Sequence, residues 1–205
     1  MALAKWSIVI CLVASACGSS TTPDASAAPP STSVVSLSND GGSMEGHTPR
    51  GFAGSGTGMF AGDNLNPGFP VDDGVQLWLS FELPAGGATP SRALLSSDVM
   101  TIAGTPFEDL GTLLAEPVTY ESFGPQLFDL AADGPAVDCR RVGAERIECD
   151  VTDAVTSALE SGSQNAQFRL RFERVADGDG SQDRALFFLS DSNLNEPGIF
   201  HLDLS

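Results

Sequence analysis

The run Val75-Gln-Leu-Trp-Leu-Ser-Phe-Glu-Leu83 alternates without a break, placing Val75, Leu77, Leu79, Phe81 and Leu83 on one side of an extended chain. Coiled as a helix, the same residues would divide between two opposed sides; only a strand gathers them on one face. Ala166-Gln-Phe-Arg-Leu-Arg-Phe-Glu-Arg174 repeats the pattern through Phe168, Leu170 and Phe172. Both stretches predict strands with one buried and one wet face. Weaker strand signals lie at 93–103, 113–119, 126–130, 184–190 and 198–204. One helix interrupts them at about 150–161, where Val151, Ala154, Val155, Ala158 and Leu159 recur at helical spacing after Asp150 as N-cap, with Gly162 as the stop. Many short strands, Gly/Pro-rich turns and a single short helix predict an all-β sandwich.

The N-terminus carries a different kind of information. Lys5 supplies one positive charge ahead of the apolar run Trp6 to Val13, and Ala14, Ser15, Ala16 and Cys17 follow. Basic, apolar and small-residue regions in that order make a secretory signal over residues 1–16. The apolar run is far short of the roughly 20 residues that a spanning helix needs. The tetrad Ala14-Ser15-Ala16-Cys17 resembles the lipobox of bacterial lipoproteins. That resemblance implies cleavage before Cys17, diacylglycerol on its thiol and fatty-acyl chains such as palmitate, making a lipid bilayer the partner of this cysteine. Gly18 and Ser19, rather than Asp, then imply outer-membrane sorting if the host is Gram-negative. The competing reading is an ordinary secretory signal that leaves Cys17 as a spare thiol. Residues 17–58 are rich in Ser, Thr, Pro, Ala and Gly, with Val34, Val35 and Leu37 as their one weak apolar cluster. Such a segment buries too little to offset its ordering entropy and is expected to be a disordered stalk. Residues 59–205 have the make-up of one folded domain.

Charge narrows the partners. The formal net charge is −17; loss of residues 1–16 removes Lys5 and no acidic residue, giving −18, and the nine cations left are all Arg. A surface this acidic repels phosphate backbones, which argues against nucleic acid as a partner. Of four cysteines, Cys11 leaves with the signal and Cys17 is assigned to lipid, so Cys139 and Cys149 remain as one pair. A three-residue loop, Gly143 to Glu145, would close a hairpin with the two cysteines opposite each other and Arg140 facing Glu148. In an exported chain this spacing predicts a structural disulfide.

The run Leu77-Trp-Leu-Ser-Phe-Glu-Leu-Pro-Ala-Gly-Gly-Ala-Thr89 resembles the opening strand and turn of DNRLRE-type domains. Asp150-Val-Thr-Asp-Ala-Val-Thr-Ser-Ala-Leu159 is similar to the family's "DVT" helix, Phe168-Arg-Leu-Arg-Phe172 to its next strand, and Ser190-Asp-Ser192 to its late Ser-rich turn. The resemblance covers about residues 60–205. It implies a jelly-roll module related to carbohydrate-binding modules. The chain departs from the pattern at Ser80, where the family carries Arg, and in lacking a Trp near the end of the helix.

Three sets of residues are candidates for binding. Trp78 falls on the face opposite Leu77 and Leu79, where a flat ring can stack on pyranose C–H faces, or can be covered and simply buried. Tyr120 and Phe123 are weaker aromatic candidates, for a glycan platform or for loop packing. Asp177, Asp179 and Asp183 share one Gly-rich turn, which reads either as a Ca²⁺ loop or as a solvated hairpin turn. Asp72-Asp73-Gly74 is a fainter signal of the same kind. For catalysis the chain offers no Gly-x-Ser-x-Gly elbow, HExxH or phosphate loop. Of its two histidines, His47 falls in the expected stalk and His201 on the outer face of a terminal strand. The expectation is a non-catalytic, lipid-anchored domain of the cell envelope that binds a polysaccharide or another extracellular polymer. The alternative is a structural, adhesion or envelope-assembly domain without a small-ligand site.

Overall fold

The computed structural model of the chain describes residues 31–37, 39–46, 59–63, 74–86, 88–187 and 200–205. Among these residues are twelve strands: β1 (Thr32–Val35), β2 (Gly42–Glu45), β3 (Phe60–Asp63), β4 (Gly74–Glu82), β5 (Ala93–Ser97), β6 (Thr101–Ala103), β7 (Leu113–Pro117), β8 (Val137–Val142), β9 (Arg146–Asp150), β10 (Asn165–Phe172), β11 (Asp183–Leu186) and β12 (Phe200–Leu204). Two helices accompany them, α1 (Pro106–Asp109) and α2 (Thr152–Glu160). Every strand pairing is antiparallel, in the order β1-β12-β5-β9-β8-β7-β10-β4-β3-β11-β6, with β2 added on β4. The fold is the expected all-β, jelly-roll-like sandwich: one continuous sheet curls until its two halves enclose a core.

Alternation explains what fills that core. Leu77, Leu79 and Phe81 of β4 and Phe168, Leu170 and Phe172 of β10 face Leu95, Ile147, Phe200 and Leu202 from the other half, and all are buried. Phe187, just after β11, stacks its ring 4.9 Å from that of Phe200, joining the two halves. Burying side chains of this size contributes about 1.5–3 kcal/mol each. Between β7 and β8 the pairing shrinks to Leu114↔Asp138 and Ala115↔Val137. There the sheet passes from one half to the other.

Helix α2 begins at Thr152, so Val151 rather than Asp150 takes the N-cap position, and no side chain caps it. Asp150 still serves the helix start, because its Oδ1 accepts the Thr152 hydroxyl (2.6 Å) and backbone N–H (3.2 Å). The Thr152 oxygen in turn accepts the Ala93 N–H of β5 (2.9 Å), fixing the helix to the sheet. Val155 is buried, and Ala154, Ala158 and Leu159 pack on the core. Gly162 ends the helix at φ 75°.

Three expectations are corrected. The stretch 93–103 is two strands, β5 and β6, broken at 98–100. The stretch 126–130 is no strand: Pro125–Leu127 forms a 3-10 turn, in which Leu127 is buried. The disordered stalk is overturned in part, because residues 32–45 supply β1 and β2. β1 pairs with β12 at one end of the sheet, and β2 pairs with β4 in the other half. Leu37 N–H donates to the Ser80 carbonyl between them (2.8 Å), and Val34 packs against the core. Backbone pairing, which composition does not report, orders this segment. Glycine helps, since a Cβ at Gly41 would collide with the Trp78 carbonyl. The other residues of the predicted signal and stalk lie outside the described residues.

Candidate functional site

The outer faces of β4, β7 and β10 carry a polar network instead of a wet surface. Arg169 pairs in register with Trp78 on one side and Glu116 on the other. Its Nε donates to Glu116 Oε2 (2.7 Å), its Nη1 to the Leu130 carbonyl (2.8 Å), and its guanidinium lies 5.5 Å from the Trp78 ring. Arg171 donates twice to Glu116 Oε1, at 2.6 and 3.0 Å. Burial pushes the Glu116 carboxyl upward, but hydrogen bonds and charge from Arg171 and Arg169 outweigh this and hold it below its ordinary value. Gln167 accepts the Tyr120 N–H (2.9 Å) and donates to the Tyr120 carbonyl (3.1 Å) and to Asp40 (3.2 Å). The loop after β7 is thereby tied down over the sheet.

Trp78 therefore corrects the simplest glycan reading. It does lie opposite Leu77 and Leu79, but it is 0% exposed, inside a second core of Met44, Val118, Tyr120 and Leu127. Tyr120 is 8% exposed, meets Trp78 edge-on at 5.6 Å and donates its hydroxyl to the Asp40 carbonyl (2.9 Å). Burial first, and the charge of Asp40 second, push that hydroxyl above its ordinary value. Phe123, Phe128 and Leu130 pack around the cluster. Neither Trp78 nor Tyr120 offers a ring face to a sugar. The sequence carried a trace of this cover in the apolar residues 127, 128 and 130, which read as strand.

A cleft of about 810 Å³ opens elsewhere, beside α2. Four stretches of chain line it: α2 running into the start of β10 (between Asp150 and Phe168), residues 117–119, the stretch from Asp133 to Val137, and Ser91. Thr119, Asp133, Asp153, Ser157, Ser163 and Asn165 bring hydroxyl, carboxylate and amide groups to it. Among the described residues, no Lys, Arg or His lines it, and the one aromatic residue that does, Phe168, is buried. Asp150 at its edge is held below its ordinary value, chiefly by the Thr152 hydroxyl. It is thus an ionised acceptor and not a proton donor at neutral pH. Sequence reasoning missed this cleft because its polar residues are scattered over four stretches of chain and look like ordinary surface.

The acidic turn is rearranged relative to expectation. Asp177 and Asp183 do converge, but the third member is Asp109 at the end of α1, with one carboxylate oxygen from each within 4.8 Å of the others. Asp179 is outside this group; its Oδ1 accepts the Ser181 N–H (2.6 Å), while Asp177 Oδ1 accepts the Asp179 N–H (3.0 Å). Cys139 and Cys149 form the expected disulfide in the expected register, with Arg140 and Glu148 bonded beside it at 2.6 Å. His201 is half-buried and its Nε2 lies 2.8 Å from Asp98 Oδ2. Cys17, His47, Asp72, Asp73 and Ser190 to Ser192 lie outside the described residues. Among the described residues, no helix is long and apolar enough to cross a membrane. No family model matches the chain, and no curated protein matches it.

Proposed function

We propose that this chain is a lipid-anchored protein of the bacterial cell envelope whose non-catalytic β-sandwich binds a glycan or another polyhydroxylated extracellular polymer in the cleft beside α2. The observation that carries the reading is the lining of that cleft, where Asp153, Ser157, Asn165 and their neighbours offer many acceptors and, among the described residues, no cation. Hydroxyl groups donating to carboxylates make stronger hydrogen bonds than neutral pairs do, about 1.5–3 kcal/mol each. Three carboxylates, Asp133, Asp150 and Asp153, disfavour sulfated or uronic polymers and favour neutral or amino sugars. The lipobox-like tetrad ending at Cys17 supports the anchor, and the ordered motifs that resemble DNRLRE-type domains support the carbohydrate class.

One observation favours a second reading, that of a structural, adhesion or envelope-assembly domain. With Trp78 and Tyr120 buried, the outer face of β4 and β10 is closed by the protein itself. A glycan array with the full chain in detergent separates the two. Retention on neutral or amino-sugar polymers, lost in Ser157→Trp, is the expected outcome. No retention on any polymer would leave the second reading standing. Mass spectrometry of the mature N-terminus tests the anchor: a diacylated Cys17 is expected, and a free thiol there would overturn it.

A further inference from the structure

We propose that Asp109, Asp177 and Asp183 hold a Ca²⁺ ion that ties the turn between β10 and β11 to the short helix α1. The three residues come from two distant stretches of chain. Thr105, just before α1, brings them together, its backbone N–H donating to Asp183 Oδ1 (2.5 Å) and its hydroxyl bonding to Asp109 Oδ2. Asp177 arrives from the turn, which folds back through Gly178 and Gly180, both at positive φ.

A cluster of carboxylates alone means little, since exposed acids gather on any acidic surface. Asp183 is different: it is 1% exposed, and its Oδ2 is buried with no hydrogen-bond partner among the described residues. A buried carboxylate oxygen without a donor is costly, and two further carboxylates close by add repulsion. A cation against the Asp183 carboxylate removes both penalties at once.

The donors select the ion. All three are carboxylate oxygens, with no His or Cys among them, which suits a hard cation rather than zinc or copper. Oxygens within 4.8 Å of one another fit a sphere whose ligands sit at about 2.3–2.6 Å, the range of Ca²⁺. Mg²⁺ demands a tighter octahedron of about 2.0–2.1 Å, hard to build from an irregular turn. This site is separate from the α2 cleft and does not depend on the ligand proposed there.

The test is calorimetric titration of CaCl₂ into the full chain, stripped with EDTA, together with its melting temperature. One Ca²⁺ per chain and a raised melting temperature are expected. Asp177→Asn, at an exposed position that leaves folding intact, should weaken binding by about tenfold or more, because affinity follows ligand charge. Asp179→Asn should leave it unchanged, and Asp183→Asn, if it folds, should abolish it. No heat and no shift up to about 10 mM Ca²⁺, ten times the weakest range of extracellular calcium modules, would overturn the proposal. So would equal losses in Asp177→Asn and Asp179→Asn, or tighter binding of Mg²⁺ than of Ca²⁺.

Discussion

Trp78 shows how a residue chosen for display ends up inside. Its indole fills the space between Met44, Val118, Tyr120 and Leu127, yet its Nε1 is buried with no hydrogen-bond partner among the described residues. Trp78→Ala should cost about 3–5 kcal/mol through cavity formation. Trp78→Phe keeps a ring and removes the unpartnered N–H, so urea unfolding should show a much smaller loss. Equal losses would mean that the indole nitrogen matters in a way the packing does not explain. Glu116 is the second residue on which this face depends. Leaving Arg169 buried without it should cost about 3–5 kcal/mol in Glu116→Ala. Its folded value lies below the ordinary 4.5. Its stabilising contribution is therefore complete above that ordinary value and lost as pH falls through the lower folded one. Acid should thus destabilise the wild type more steeply than Glu116→Gln, as read from unfolding midpoints taken between neutral pH and the acid range. Parallel curves would place the charge elsewhere.

At the scale of elements, the hairpin β8–β9 follows the sequence closely. Its loop length sets the register, the register places Cys139 opposite Cys149, and the export expected from the N-terminal sequence favours their oxidation. Reducing the pair, or replacing both with Ser, should cost about 2.5–3 kcal/mol by loop-closure entropy, measured by thermal unfolding with and without reductant. No change in midpoint would assign the stability of this edge to strand pairing alone. β4 and β10 are legible for the same local reason, because alternation is written in consecutive residues. β1, β2 and the cover over Trp78 are not. Their order comes from pairing with strands far along the chain, Thr32 with Leu204 and Gly42 with Trp78, and no local pattern records such a partner. Binding residues divide in the same way. Asp177 and Asp183 share one turn and can be read together, whereas Asp109 reaches them only through the fold. The cleft beside α2, drawn from four stretches of chain, was beyond sequence reasoning.

For the molecule as a whole, one curled sheet buries both of its faces over β4 and β10, one against the main core and one beneath the loop after β7. Among the described residues, few large apolar side chains besides Val35 and Val175 are left exposed, in keeping with a net charge of −17. The proposed recognition therefore runs through hydrogen bonds in a cleft, and the proposed Ca²⁺ site through the cations such a surface attracts, rather than through an exposed aromatic surface. The proposed anchor at Cys17 would bring it to polymers from a fixed position. The most direct measurement is isothermal titration of an array-selected polysaccharide into the full chain and two variants. Recognition in the α2 cleft requires binding in the wild type, binding kept in Trp78→Phe, and binding lost in Ser157→Trp. Loss in Trp78→Phe with retention in Ser157→Trp would contradict it, and would return recognition to the face that the fold has closed.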